Sequence, residues 1–126
     1  MALPVSANVT AVPNFLTCLQ AAGDFFILQD PDSAPERQRQ LRAELREMRS
    51  ILAWSPGVGR SARFLNAQSA QARLRNGAVA ALARQAGLPM LREYVLRQHL
   101  VLYAHSDTEV VLLALKDQRQ LAYSAT

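Results

Sequence analysis

Arginine, with a little tyrosine and histidine, is the only chemistry this chain concentrates. Arg60, Arg63, Arg73, Arg75, Arg84, Arg92 and Arg97 fall in one stretch that holds a single acid, Glu93. Their planar guanidinium forks suit phosphates and carboxylates, which accept two parallel N–H bonds at once. Arg with Tyr and His can also cleave RNA without a metal, by orienting the 2′-hydroxyl and stabilising the charged phosphorane. The same side chains on a sheet rim serve an acidic partner peptide equally well. Residue types alone do not separate the two readings.

Other chemistries lack their residues. His99 and His105 stand six apart, with no Cys and no carboxylate at helical i, i+4 spacing to complete a metal site. Neither a metal nor a cofactor is expected, and both histidines read as surface or loop-end residues. Tyr103 near His105 offers a proton-transfer pair, though nothing in the spacing compels one. Pro56-Gly57-Val58-Gly59 follows a helical pattern rather than a strand and lacks the Lys-Ser/Thr of a phosphate loop. No Ser sits in a nucleophile elbow. The single cysteine, Cys18, falls on an apolar helix face, where an inert core thiol is the plain expectation.

A chain of 126 residues is one domain on the usual length prior, and 50% apolar with 19% charged residues is globular rather than disordered. No apolar run reaches the length of a membrane span, and residues 1–30 contain no Lys or Arg for a signal-peptide n-region, so the expectation is a cytoplasmic protein with no membrane partner. Fourteen cations, thirteen of them Arg, oppose ten acids for a net +4. The charge is uneven. Residues 1–55 carry five Arg and six acids, whereas 56–126 carry eight Arg, Lys116 and four acids. A basic half points to nucleic acid or an acidic protein segment, although an Arg bias also follows from genomic base composition.

The elements that must position these residues are legible from periodicity. Val5, Ala7, Val9 and Ala11 alternate with polar residues over 5–12, the period of a half-buried strand ended by Pro13. Phe15, Leu19, Ala22 and Phe26 recur at helical spacing, which predicts a helix over 14–29 with Asn14 as its cap. After the turn Asp30-Pro31-Asp32, Ser33-Ala34-Pro35-Glu36 fits a capping box. Leu41, Leu45, Met48 and Leu52 form the apolar stripe of the helix that follows, its charges a solvated face. Ser55-Pro56-Gly57 breaks it. Asn76 reads as the cap of a short helix over 78–86, stopped by Gly87-Leu88-Pro89. Three apolar runs, 91–96, 100–105 and 110–115, are separated by short polar breaks and read as an antiparallel meander. The last run is apolar on both faces, so both should be covered. The order implies an α+β fold with two N-terminal helices on one face of an antiparallel sheet built from the first strand and the meander.

Two blocks together resemble a known family. Phe26–Arg60 ends in Trp54-Ser55-Pro56-Gly57-Val58-Gly59-Arg60, and Leu91–Gln120 carries Arg92, Tyr103, Asp107 and Arg119 in order. These are similar to the second-helix region, with its aromatic-x-Pro-x-x-Gly-Arg element, and the closing strands of the RelE/ParE superfamily of bacterial toxin–antitoxin toxins. The resemblance covers about residues 12–60 and 91–120. It implies a single toxin domain over 1–126, with residues 61–90 as a helical insertion and 117–126 as a C-terminal tail. The family's catalytic lysines have no counterpart, the one Lys being Lys116, and Lys116-Asp117 stands where many members carry His. That tilts the implied activity toward a ParE-like toxin, which inhibits DNA gyrase by contact rather than catalysis and is neutralised by a cognate antitoxin. Arg60, Arg63, Arg84, Arg92, Arg97, Lys116 and Arg119 are then the expected target- or antitoxin-binding residues. The alternative is a RelE-like ribosome-dependent mRNA endoribonuclease, metal-independent and using Arg92, Arg97, Tyr103 and Tyr123; another is an Arg-rich nucleic-acid-binding module. A homodimer and a toxin–antitoxin hetero-oligomer are both compatible assemblies.

Overall fold

A computed structural model describes residues 6–62, 70–120 and 123–125, those at 70–76 by backbone only. The chain runs β1 (Asn8–Ala11), α1 (Pro13–Gln29), α2 (Ala34–Trp54), a 3-10 turn (Pro56–Val58), β2 (Arg60–Ser61), α3 (Ala70–Ala86), β3 (Met90–Val95), β4 (His99–His105) and β5 (Glu109–Asp117). The fold is α+β, and its sheet has the order β1-β5-β4-β3-β2. Strands β3, β4 and β5 form the expected meander, closed by Leu96 N–H to His99 C=O and Ser106 N–H to Glu109 C=O.

The sheet is mixed, not antiparallel. β1 lies parallel to β5, with Asn8 beside Glu109 and Ala11 beside Leu112. A period-2 pattern assigns the faces of a strand but carries no information on its direction. A fifth strand, β2, extends the far edge by only two residues, Arg60 opposite Glu93 and Ser61 opposite Arg92, too short for any alternation to register.

Every residue of β4 is buried, so both faces of the sheet are covered at its centre. On one face α1 and α2 pack, α1 placing Phe26 edge-on to His99 and α2 burying Leu41, Met48 and Leu52. α3, which also packs on β4 and β5, takes the other face with Val79 fully buried. The helix is longer than expected. It starts at Ala70, so Asn76 lies inside it rather than capping it, because the Ala, Arg, Gln and Leu around it are strong helix formers. Gly87 closes it at φ +68, its N–H reaching the carbonyl of Arg84.

Neither of the other two expected helix caps forms. Pro13 is already the first residue of α1, and the Asn14 amide donates instead to the carbonyls of Leu113 and Ser124, both 3.0 Å away, tying the helix to β5 and the tail. Ser33 sits in the helical region, at φ −89 and ψ −13, and its hydroxyl makes no cap bond. The turn is held by Asp30, whose side chain accepts from Asp32 N–H and whose carbonyl accepts from Ala34 N–H. Ser33→Ala is therefore expected to shift a urea unfolding curve by less than about 0.5 kcal/mol, against about 1 for a working cap.

Candidate functional site

The α1/α2 face of β3 carries Arg92 and the α3 face carries Glu93, and each nucleates a polar cluster. Arg92 Nε donates to His105 Nε2 at 3.0 Å, and Nη1 donates to the Gly59 carbonyl at 3.0 Å. With Nε2 accepting, the His105 proton belongs on Nδ1, 3.1 Å from the Ser106 carbonyl. Beside them Tyr103 is fully buried; its hydroxyl donates to Pro56 C=O at 2.7 Å and accepts from Gly59 N–H at 2.9 Å. Burial holds the phenol above its ordinary pKa, against the opposing bond from Gly59. The Pro56–Gly59 turn is thus clasped onto β3 and β4 from both sides.

On the opposite face Glu93 is only 2% exposed. The Tyr123 hydroxyl donates to its Oε2 at 2.5 Å, and Arg60 Nε lies 3.4 Å from Oε1. Burial, then the bond to Glu93, raises the Tyr123 phenol far above its ordinary value. Lys116 stands 5.5 Å over the Tyr123 ring and donates to the Gln120 carbonyl. Burial lowers the Lys116 pKa although Glu93 favours its charge.

The remaining basic residues scatter. Arg97 lies on the β3–β4 turn with its backbone N–H on Glu44, and Gln118 ties that turn to the end of β5, next to Arg119. Arg119 is bonded to Asp117 through both its backbone N–H and Nε. Burial would raise the Asp117 pKa, but these Arg119 bonds outweigh it and hold the carboxyl below its usual range. Arg84 is exposed on the last turn of α3. Arg63 lies outside the described residues, as do the side chains of Arg73 and Arg75. Of the four nuclease candidates, Arg92 and Tyr103 are cross-strand neighbours, Arg97 is at the sheet end and Tyr123 is on the other face. Both tyrosine hydroxyls are buried in internal hydrogen bonds, so the four do not face one cleft.

Two participants carried too weak a sequence signal. Glu93 was legible only as the lone acid in a basic stretch, and Gly59 as a turn residue. His99 and His105 are not surface residues: they are 5% and 7% exposed, because β4 is central and covered on both faces. Burial lowers the His99 pKa from its ordinary 6.5, outweighing the attraction of Asp117 and Glu44. A depressed folded-state pKa means that the unfolded chain binds the proton more readily. Stability is then full above pH 6.5 and falls as the pH drops from there toward the folded value. Thermal scans from pH 8 to pH 5 should show this decline, and His99→Gln should flatten it.

No known family model matches the chain, and no curated protein is significantly similar to it. Among the described residues no helix is long and apolar enough to cross a membrane.

Proposed function

We propose that this protein is a ParE-like toxin of a type II toxin–antitoxin pair, acting on DNA gyrase by contact and neutralised by a cognate antitoxin. The observation that carries the reading is the clasp between the two blocks that carry the resemblance. Gly59 of the Trp54–Arg60 element bonds Tyr103 and Arg92 of the closing strands, so the two blocks pack against each other. Action by contact is supported by the dispersal of the nuclease candidates and by apolar side chains left in water. Leu16, Phe25, Ile27 and Leu28 of α1 are exposed, Leu28 at 83%, and Trp54 is 66% exposed. Such a surface, with Arg84, Arg97 and Arg119 also exposed, suits an acidic segment that folds on binding.

Induced expression in a bacterium should arrest growth, and co-expression of the small reading frame beside the gene should relieve it. Purified protein should block supercoiling by gyrase and leave ribosome-bound transcripts intact. Unaffected growth in both arms would overturn the toxin reading. Codon-linked transcript cuts would replace gyrase with the ribosome, and salt-dependent binding to generic DNA or RNA without toxicity would favour a nucleic-acid module.

A further inference from the structure

Beyond Leu112, where its pairing with β1 ends, β5 borders a groove against α1 with a volume of about 460 Å³. That volume lies within the range of small-ligand pockets, and most of the lining is apolar: Ala21, Ala22 and Phe25 on one wall and Leu115 on the other. Gln29, Gln120 and Ser124 also line it, but the most deeply buried polar group of the wall is His99. It is 95% buried, yet neither ring nitrogen makes a hydrogen bond among the described residues, and its close neighbour is the edge-on Phe26 ring at 5.9 Å. Buried polar groups are almost always paired, so an unpaired imidazole in the wall of a cavity points to a missing partner. Asp117, Glu44 and Arg37 face it electrostatically without bonding it, and the last two line a smaller cavity of about 190 Å³ that His99 also borders. At the rim of the larger groove stand Lys116, Arg119 and Asp117. The Asp117 carboxyl is occupied by Arg119, which leaves the rim with one net positive charge.

We propose that the groove binds a small apolar carboxylic acid. Its hydrocarbon or aromatic body lies against Ala21, Ala22, Phe25 and Leu115, and its carboxylate takes the His99 N–H and faces Lys116 and Arg119. A neutral imidazole offers one N–H, which a carboxylate or a hydroxyl accepts, and one bare nitrogen, to which a hydroxyl or an ammonium donates; the positive rim disfavours the ammonium. The cationic rim then favours the acid over the alcohol. The site shares no residue with the Gly59–Tyr103–Arg92 clasp; Phe25 and Arg119 also belong to the surface offered to an acidic segment, so binding is read on the isolated chain, where it does not require the toxin reading to hold.

The test is calorimetric titration of the whole chain with phenylbutanoate, phenylbutanol and phenylbutylamine, with the histidine ring signals followed by proton–carbon NMR. The acid should bind at least about fivefold more tightly than the alcohol, the scale of a partly exposed ion pair, and the amine most weakly. The His99 signal should move while that of His105 stays. Ala21 is exposed, so Ala21→Phe fills the groove without disturbing the core and should abolish binding of all three. His99→Leu, which removes the N–H donor that a glutamine would keep, should weaken the acid. Equal affinities for acid, alcohol and amine, millimolar acid with no effect, or Ala21→Phe that binds as the wild type would each overturn the proposal.

Discussion

Gly59→Ala is expected to cost about 3 kcal/mol of folding stability, which lowers the melting temperature by roughly 10 °C in a domain of this size. The cause is steric. At φ −67 and ψ 163 the Gly59 backbone is extended, a conformation that alanine adopts freely. An added Cβ, however, would lie 2.5 Å from the Tyr103 hydroxyl and 2.6 Å from the carbonyl oxygen of Glu93. The second contact is with sheet backbone and cannot be relieved by rotating a side chain. Pushing the turn away would break the Gly59–Tyr103 and Arg92–Gly59 hydrogen bonds together. Gly57 is the control. There a Cβ meets the nearest atom, His105 Cε1, at 3.8 Å, so Gly57→Ala should stay within about 0.5 kcal/mol of wild type. Thermal and urea unfolding of the two variants decide it, and equal behaviour would show that the turn does not clamp the strands.

Tyr123→Phe should cost about 2 kcal/mol, because it strips a buried hydrogen bond from the Glu93 carboxyl. The affected carboxyl, Glu93, is almost fully enclosed and keeps Arg60 on its other oxygen. Glu93→Gln should cost a similar amount, and the double variant should fall short of the sum by at least about 0.5 kcal/mol, as coupled neighbours do. Strict additivity in the denaturation midpoints would show that the two groups act independently.

Much of the frame was legible in the residues. Phe15, Cys18 and Phe26 on α1, and Leu41, Met48 and Leu52 on α2, are buried as their spacing predicts. The meander emerged with boundaries within two residues, because β-branched and aromatic runs broken by polar pairs have few other folds. Long-range partners were not legible. Asn14 and Ser33 have the residue types of caps, but Asn14 found better acceptors on Leu113 and Ser124, remote in sequence, and the Asp30 turn replaced Ser33. The site shows the same division. Arg92 and Tyr103 were singled out and do lie together, whereas Glu93 with Tyr123 depends on a tail crossing to a particular strand face, which no local pattern encodes. Residue type pointed to Tyr123 as chemically active, but its burial makes it an internal tie.

The parallel seat of β1 also bears on the order in which the molecule assembles. Strands β3, β4 and β5 join through tight turns, and their register can form from neighbours in the chain. Pairing Asn8 with Glu109 instead closes a loop of about 100 residues, an entropic cost repaid only once β5 is already fixed. The amino-terminal strand should therefore dock last. Substitutions such as Val9→Ala would then mainly speed unfolding, while Val101→Ala in the meander would slow folding itself. A chain still emerging from the ribosome would hold this strand unpaired until β5 had been made.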